Sequence, residues 1–272
     1  MSGDLAPKQA AASLTGENLY ITANGGVTVN GNASVATADV QATNGVIHAV
    51  DQVLLPNRFQ NVVDIASKRY DLSTLVSAVG NANLASTLSN SEAEFTIFAP
   101  VNSAFEGVDL SGLSQQELAE VLSFHVVEGS ILSGDLEASQ TVETVQGEEL
   151  LITSSDEGVS INGSASVTTA DIEGTNGVIH LIDGVLLPSD YREPNIVDRA
   201  EDLGNFTALV DALEQTGLKS AIQYQGPFTV FAPTDDAFND LPQELLSSLS
   251  EEQLARILQY HVVSGGIMTM HI

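Results

Sequence analysis

The chain has 272 residues, 43% of them hydrophobic, which is enough for one or two domains with buried cores. Asp and Glu number 36 against 8 Lys and Arg, so the formal net charge is −28. This charge repels nucleic acids and anionic membrane surfaces, and we expect neither as a partner. There is no cysteine, which excludes disulfides, thiolate nucleophiles and zinc ribbons. No apolar run approaches the roughly 18–20 residues that cross a bilayer, so no membrane span is predicted.

The carboxylates are concentrated in the middle of the chain. Between Tyr70 and Tyr191 there are 19 carboxylates and no lysine or arginine. We interpret this acidity as a solubility device of an exported or salt-adapted protein. A weak surface for divalent cations is the alternative interpretation.

Four pairs of matching segments show that one unit is repeated along the chain. The pairs are residues 32–56 and 164–188, 61–79 and 195–213, 95–105 and 228–238, and 124–127 and 260–263. The two members of each pair are separated by 132 to 136 residues. A unit of this length is a whole domain and not a solenoid repeat.

The predicted elements, taken in chain order, begin with a hairpin and continue with helices. Asn30-Gly31 predicts a tight turn, because a type I′ turn needs φ > 0 at both central positions. Apolar residues at i, i+3, i+4 and i+7 from Leu72 to Val79 predict one buried helix face. Phe95–Ala99 predicts a short strand that a proline ends. Ser114 then begins a helix with a capping box.

The helical pattern stops after a His-Val-Val strand and returns later in the second copy. Short strands are predicted at Leu150–Thr153, Val159–Ile161, Ser166–Thr169 and Val178–Leu187, with a second Asn-Gly turn at Asn162. The second copy then predicts a helix face from Phe206 to Leu213, a strand at Phe228–Ala232 and a capping box at Ser250. The fold class is therefore α+β, with helices packed on a mainly antiparallel sheet.

Short polar residues follow the Ala-Pro pair in both copies. Asn102 in the first copy and Thr234 and Asp235 in the second stand where the next helix begins. We expect these side chains to cap that helix, because they accept hydrogen bonds from its first N–H groups.

These motifs, in this order, resemble the fasciclin-like domain. The Phe-Ala-Pro box, the aromatic-histidine box and the Asn-Gly-Val-Ile-His box each occur twice at the spacing of that family. The resemblance covers nearly the whole chain. It implies a compact β-wedge or sandwich with helices on it, and a non-catalytic module of exported or surface-anchored adhesion and matrix proteins.

The sequence holds none of the short motifs that mark common enzyme sites. There is no nucleophile elbow, P-loop, dinucleotide fingerprint, zincin motif or EF-hand loop. The five histidines do not lie at metal-ligand spacing from one another. We therefore predict no enzyme activity, no metal and no cofactor. A Ser/His/Asp triad assembled across the fold is the alternative that sequence spacing leaves open.

Two aromatic-histidine pairs are the first candidates for partner binding. They are Phe124-His125 and Tyr260-His261, each followed by two valines. From the residues we expect half-buried strand histidines bonded to a backbone carbonyl or a carboxylate. The resemblance implies a contact with integrin-type partners through this box. The first copy has phenylalanine in place of tyrosine and so lacks the hydroxyl for polar recognition.

The second candidate is Asp171-Ile172, a pair that the resemblance also links with integrin contact. Its weaker counterpart in the first copy is Asp39-Val40. Alternation along a strand turns Ile172 inward, so we interpret that side chain as part of the core. His48 and His180, inside the Asn-Gly-Val-Ile-His box, are interpreted as structural.

Two functions remain after these exclusions. The first is an adhesion module, extracellular, periplasmic or on the cell surface, that binds a protein or polysaccharide partner. The alternative is a carrier of a small apolar ligand, since some proteins similar to this family bind apolar pigments. A carrier needs an apolar groove, and aromatics make up only 5% of this chain with no Trp, so adhesion is favoured. The residues Met1–Asp4 show no signal-peptide pattern.

The positions of the repeated segments along the chain predict the domain boundaries. Residues 57–188 form a complete domain, residues 1–56 the strand-rich half of another, and residues 189–272 the helical half of another, with 269–272 unmatched. Neither half is long enough to close a core alone, so we predict that 1–56 pairs with 189–268. Tethering favours pairing within one chain, which would make a circular permutant. Pairing between chains would give swapped dimers or head-to-tail filaments.

The acidic middle of the chain generates a prediction about salt. Repulsion among its carboxylates weakens the fold at low ionic strength, and added salt screens that repulsion. The thermal midpoint is expected to rise between dilute buffer and about 1 M NaCl, where the screening length is roughly 3 Å. Scanning calorimetry at the two salt concentrations measures this rise. A flat or falling midpoint would show that the carboxylates lie too far apart to repel one another.

Overall fold

The computed structural model of the chain describes residues 6–108, 110, 112–156, 158–242 and 248–266. The chain divides into two compact units. Unit 1 consists of Met1–Leu136, Glu143–Glu148 and Ala165–Leu186, and unit 2 consists of Glu137–Val142, Glu149–Ser164 and Leu187–Ile272. Both contain helices and mostly antiparallel strands, which confirms the α+β class.

Strand-rich and helical segments alternate along the chain. The strands are β1 (Lys8–Ala12), β2 (Asn18–Ala23), β3 (Val27–Val29), β4 (Ala33–Ala42), β5 (Gly45–Val50), β6 (Phe95–Pro100), β7 (Val126–Glu128), β8 (Ser139–Glu143), β9 (Glu149–Ser155), β10 (Gly158–Ile161), β11 (Ala165–Gly174), β12 (Gly177–Ile182), β13 (Phe228–Val230) and β14 (Val262–Ser264). The helices are α1 (Val62–Ser67), α2 (Ser73–Asn81), α3 (Ala85–Leu88), α4 (Gln115–Ser123), α5 (Ile196–Leu203), α6 (Thr207–Gln215), α7 (Lys219–Tyr224), α8 (Asp235–Asn239) and α9 (Glu251–Tyr260). No helix in the described part of the chain has the length and apolar character needed to cross a bilayer.

The first five strands form an antiparallel sheet of unit 1 in the order β1-β2-β3-β4-β5. Asn30-Gly31 makes the predicted turn between β3 and β4, with φ of 53° and 75°. The Asn30 side-chain oxygen accepts a hydrogen bond from the backbone N–H of Tyr20 at 2.9 Å, which ties this turn to β2. β5 is the last strand of the sheet, and all six of its residues are exposed.

The other strands of unit 1 lie in the order β7-β6-β12-β11. β6 and β12 pair in parallel, so that Gly177 lies opposite Phe95, while the neighbouring pairs are antiparallel. An alanine Cβ at Gly177 would lie 1.9 Å from the Phe95 carbonyl oxygen, and φ there is 141°. Only glycine permits this close approach of two backbones. All six residues of β6 are buried, as a strand covered on both faces requires.

Helices α1, α2 and α4 supply the apolar faces that pack with these strands. The face predicted from Leu72 to Val79 belongs to this core, with Leu75 buried. The predicted capping box of α4 is present, since Ser114 and Glu117 each accept a hydrogen bond from the other's backbone N–H. The largest buried members of the core include Val62, Ile65, Leu72, Leu75, Phe95, Ile97, Leu122, Ile179 and Leu181. Burial of each such aliphatic or aromatic side chain contributes about 1.5–3 kcal/mol.

Asn102 and Asp235 cap a different helix from the one expected. The side-chain oxygen of Asn102 accepts from the backbone N–H of Thr74 at 2.9 Å, at the start of α2. The carboxylate of Asp235 accepts from the N–H of Ala208 at 2.8 Å, at the start of α6. Thr234 caps the following helix, α8, as predicted. The expectation was wrong for the first two because the fold brings the turn after the Ala-Pro pair against the start of an earlier helix.

Unit 2 contains an antiparallel hairpin, β9–β10, whose last strand leads into the second predicted Asn-Gly turn. Asn162 and Gly163 have φ of 51° and 61°, which confirms the turn. The Asn162 side-chain oxygen accepts from the N–H of Leu151 at 2.8 Å. The Asn30 side-chain oxygen makes the equivalent contact with the N–H of Tyr20. The Tyr224 hydroxyl, at the end of α7, donates to the Glu149 carbonyl at 3.1 Å.

The helices of unit 2 bury a small core. Its buried members are Val197, Leu209, Ala212, Leu213, Ile222 and Leu258. The predicted capping box at the start of α9 is present between Ser250 and Gln253. β13 pairs with β14 in antiparallel fashion over three residues.

One buried asparagine joins the strand-rich and helical parts of unit 1. Asn176 accepts from the N–H of Val62 at 3.0 Å and donates to the carbonyls of Leu88 and Asn90 at 2.8 and 3.0 Å. It is buried, so these three backbone groups depend on its amide. Its counterpart in the other copy, Asn44, is exposed.

This difference generates a matched pair of variants. Asn176→Ala is expected to lower the free energy of unfolding of unit 1 by about 2–4 kcal/mol, because it leaves buried N–H and C=O groups without partners. Asn44→Ala is the control and is expected to change it by less than about 0.5 kcal/mol. Urea unfolding of dilute protein, followed by circular dichroism, compares the two. Equal losses in both variants would contradict the role assigned to Asn176.

Candidate partner-binding site

The aromatic-histidine pair of unit 1 lies in the core. Phe124 is the C-cap of α4 and is 0% exposed, and His125, 2% exposed, follows it immediately before β7. The Nδ1 atom of His125 lies 2.8 Å from the Val121 carbonyl, one helical turn back. Its Nε2 accepts from the N–H of Leu186 at 2.9 Å.

The structure therefore differs from the half-buried strand histidine expected at this position. The helix continues to Ser123, so His125 lies in the turn between helix and strand and not in the strand itself. The expected bond to a backbone carbonyl is present. Both ring nitrogens of His125 are engaged by backbone groups, which fixes a neutral tautomer with the proton on Nδ1.

The equivalent pair of unit 2 has the same local geometry and a different environment. Tyr260 ends α9 and is 89% exposed. His261 follows as its C-cap, and its Nδ1 lies 2.8 Å from the Ile257 carbonyl, which repeats the His125 contact. The end of the helix therefore determines the local geometry of the pair, but it does not determine whether the pair is buried.

The residues around Tyr260 are also exposed where their counterparts are buried. Phe231 is 60% exposed, whereas its counterpart Phe98 is 2% exposed. Ile257 and Val263 are exposed as well, although Val121 and Val127 are buried in unit 1. Phe231, Ile257, Tyr260 and Val263 form what we call the apolar patch of unit 2. All four are exposed, and the counterparts of all four in unit 1 are buried.

Each unit has an apolar cavity beneath its first two helices. In unit 1 it has a volume of about 230 Å³ and is lined by Val62, Leu75, Val79, Ile97, His125 and Ile179, among others. In unit 2 it has a volume of about 460 Å³ and is lined by the equivalent Ile196, Leu209, Leu213, Val230 and His261, among others. Ile179 of β12 is one of the residues that line the cavity of unit 1. The lining of the unit 2 cavity includes no residue of an equivalent strand.

The second candidate, Asp171-Ile172, lies at an irregularity of β11. Asp171 has φ of 59° and is exposed, and its carboxylate accepts hydrogen bonds from the N–H, at 2.8 Å, and the hydroxyl of Ser133. Partial burial raises the pKa of Asp171, but the two Ser133 hydrogen bonds and the nearby His180 outweigh it, so the pKa lies below its usual value. Ile172 is half-buried, pairs with Ile179 across the sheet and packs on the core.

His180 holds this irregularity in place. Its Nδ1 accepts from the N–H of Asp171 at 3.3 Å, and its Nε2 lies 2.8 Å from the Ile131 carbonyl. Its ring also stacks on Phe98, with the centroids 5.7 Å apart. His48 repeats the first contact with Asp39, whose φ is also 59°. Both irregularities are thus built by the same local sequence.

The structure also identifies residues that the sequence analysis missed. Asn176, Leu186 and Ser133 hold together elements that are far apart in the chain. The repetition of an Asn before each Gly-Val-Ile-His segment was the one available signal for Asn176. In the described part of the chain, no three or more His, Asp or Glu side chains are grouped so that they would bind a metal ion.

The buried imidazole of His125 generates a prediction about pH. Burial lowers its pKa to about 4 in the folded protein, against an ordinary value near 6.5, despite the Val121 carbonyl. The unfolded chain therefore binds more protons between these two values. The contribution of the neutral His125 to the free energy of unfolding is fully present above about pH 6.5 and is lost as the pH falls toward 4. The free energy of unfolding is expected to fall by about 2 kcal/mol between pH 8 and pH 5.

Urea unfolding across this pH range tests the assignment with two variants. His125→Gln is expected to remove this component of the pH dependence, and His48→Gln, at an exposed imidazole, is expected to retain it. If His125→Gln does not fold, an NMR titration of the His125 ring in the parent protein measures the pKa of that ring directly. A ring that titrates near pH 6.5 would contradict the buried, neutral state.

Comparison with known proteins places the chain in a family. The model of the fasciclin domain matches residues 1–56, 70–188 and 204–272. The chain is 33% identical over 251 residues to the transforming growth factor-beta-induced protein ig-h3 of Oryctolagus cuniculus, which covers 90% of this chain and 36% of that protein. It is 32% identical over 245 residues to human periostin, covering 88% of this chain and 28% of periostin.

A fungal relative is more distant. The fasciclin-like arabinogalactan protein of Arthroderma benhamiae is 30% identical over 165 residues, covering 60% of this chain and 38% of that protein. The chain spans about a third of the length of these relatives. The family match extends over well more than half of the chain and confirms the resemblance of the repeated boxes. The chain belongs to the fasciclin domain family.

Proposed function

We propose that the chain is part of a non-catalytic, extracellular adhesion module that binds a protein or polysaccharide partner through its surface. One observation carries the proposal. His125 and His180, the two histidines of the complete domain, have both ring nitrogens within hydrogen-bond distance of backbone groups. Neither is available as a general base, which favours binding through the surface over catalysis.

The surface of the complete domain offers one preoriented acidic group for a partner. Asp171 is exposed, and Ser133 holds its carboxylate in one orientation. A fixed carboxylate loses little conformational freedom on binding and suits a partner with a basic or hydroxyl group. Phe124 and His125 are buried in this domain, so a partner would meet Asp171 and not that pair.

The family supports an extracellular setting. One relative is named an arabinogalactan protein, which is consistent with a polysaccharide-rich environment. The net charge of −28 suits an exposed, soluble surface and disfavours nucleic acid as a partner. Small-molecule sites commonly span roughly 300–1,000 Å³. The cavity of unit 1, about 230 Å³, lies below this range and that of unit 2, about 460 Å³, lies within it, so cavity volume does not decide against the carrier alternative.

A binding assay with two matched variants tests the proposal. The chain is immobilised and exposed to an array of extracellular matrix proteins and polysaccharides, with duplex DNA as the negative control. Asp171→Asn is expected to weaken capture of the bound partner at least about tenfold, or about 1.4 kcal/mol. Asp183→Asn is the control, because Asp183 is also exposed and also accepts from a serine N–H, that of Ser166 at 2.6 Å.

Circular dichroism establishes that both variants are folded. Binding by the parent and by Asp183→Asn, together with its loss in Asp171→Asn, supports the proposal. Capture of duplex DNA, the absence of any captured partner, or equal binding by both variants would overturn it.

A further inference from the structure

An amine, an amide and a carboxylate meet in unit 1, between the first sheet and the end of α1. Nζ of Lys68 donates hydrogen bonds to the side-chain oxygens of Asn57 and, at 2.9 Å, of Gln60. The Glu17 carboxylate accepts from the backbone N–H of Asn57 at 2.9 Å. We propose that Nζ of Lys68 reacts with the side-chain amide of Asn57 to form an isopeptide bond, with Glu17 as the proton carrier. This inference does not depend on the proposed adhesion function.

The reacting lysine is buried. Lys68 is the C-cap residue of α1 and is 6% exposed. The Asn30-Gly31 turn of the first sheet covers it, since an alanine Cβ at Gly31 would lie 3.2 Å from the Ser67 carbonyl oxygen and 3.7 Å from Cα of Lys68. Lysine is almost never fully buried unless an opposite charge pairs with it. Both hydrogen-bond acceptors of this ammonium are neutral amides, so its positive charge is poorly compensated.

Burial shifts Lys68 toward the neutral amine. It lowers the pKa of Lys68 and Arg69 adds to this effect, whereas Glu17 and Asp64 oppose it, and the pKa lies below its usual value. The neutral amine is the form that carries the lone pair for attack on a carbonyl carbon. The fraction of reactive amine is therefore higher at Lys68 than at an exposed lysine.

Hydrogen bonds of the backbone hold both reacting residues in place. The N–H of Gln60 donates to the Asn57 carbonyl at 2.8 Å, and the Gln60 carbonyl accepts from the N–H of Thr175 at 2.8 Å. The N–H of Lys68 donates to the Asp64 carbonyl at 3.2 Å. Groups held in contact react with effective molarities that reach about 10⁵–10⁸ M. This favours attack on an amide that is not otherwise activated.

The reaction joins the two side chains and releases one ammonium ion. Nζ of Lys68 gives up a proton to the Glu17 carboxylate, and its lone pair forms a bond to Cγ of Asn57, the atom next to the oxygen that Nζ contacts. The bond between Cγ and the amide nitrogen of Asn57 then breaks. The two protons that Nζ loses pass through Glu17 to the leaving nitrogen. A charged lysine and a neutral amide thus become a neutral secondary amide and an ammonium ion.

The second copy of the repeat lacks both reacting groups. Asp202 stands at the position of Lys68, and Ser189 stands at the position of Asn57. Neither residue supplies the amine or the amide that the bond needs. The bond is therefore a property of one place in this chain and not of the repeat.

The bond has a structural consequence for unit 1. It closes a loop from residue 57 to residue 68, between the first sheet and the end of α1. A closed loop restricts the unfolded chain, as a disulfide does. The chain has no cysteine, so an isopeptide bond supplies the covalent link that disulfides supply in many exported proteins.

Mass spectrometry of the intact full chain tests the proposal. After incubation of the folded parent at mildly alkaline pH, its mass is expected to fall below the sequence mass by one ammonia. Lys68→Arg, which keeps the charge without the amine, and Asn57→Ala are expected to keep their sequence masses. Lys219→Arg is the matched control and is expected to lose ammonia, because Lys219 pairs with the carboxylates of Glu201 and Glu214 at 3.3 and 3.6 Å. A parent that retains its sequence mass would overturn the proposal.

Trypsin locates the bond, because it cuts after Arg58, between the two reacting residues. The parent is expected to yield a branched peptide in which residues 9–58 and 59–69 remain joined. Loss of ammonia without this peptide would point to a succinimide at an Asn-Gly pair and would overturn the proposal. A branched peptide that persists in Asn57→Ala and disappears in Gln60→Ala would place the bond at Gln60, which overturns the assignment to Asn57.

The rate of the mass change tests the role of Glu17. Glu17→Gln is expected to slow bond formation at least about hundredfold, since a positioned general base contributes about 10²–10⁴-fold. Glu17→Asp is expected to recover part of the rate. Glu149→Gln, at the equivalent position of the second copy, is the control and is expected to react like the parent. Circular dichroism establishes that the variants are folded, and equal rates for the parent and Glu17→Gln would contradict a proton-carrying Glu17.

Discussion

The parallel pairing of β12 with β6 is the contact on which the core of unit 1 depends. These strands come from opposite ends of the repeat, and their backbones approach so closely at Gly177 and Phe95 that no side chain fits between them. Asn176 and the Leu186–His125 hydrogen bond secure the same junction. Because each half of the repeat has only one apolar face, this junction is what encloses the core.

The two units show what happens to identical local structures with and without that junction. α4 and α9 begin with the same capping box and end with the same imidazole contact to the preceding turn. Phe124 is nevertheless buried and Tyr260 exposed, and the cavity beneath the helices doubles in volume. Burial is therefore a property of the neighbouring strand and not of the aromatic-histidine box.

The polar groups of unit 1 are of two kinds. His125 and His180 form hydrogen bonds with backbone groups, whereas the exposed Asp171 and Asp183 are carboxylates that accept from serine N–H groups. The apolar patch of unit 2 has a different character, because its residues match core positions of unit 1.

The sequence by itself determined the repeat, the α+β class, the Asn-Gly turns, the capping boxes at Ser114 and Ser250 and the membership of the fasciclin family. These features depend on residues within a few positions of one another or on repeated motifs, and local backbone preferences decide them. It did not show that Asn102 and Asp235 cap earlier helices, that His125 is fully buried, or that Asn176 joins the two halves. Each of these requires elements distant in the chain to be adjacent in space. Only the tertiary structure decided them, because hydrogen bonding and burial depend on which element packs against a residue. Equivalent residues of the repeat are buried in one copy and exposed in the other, as Asn176 and Asn44 are.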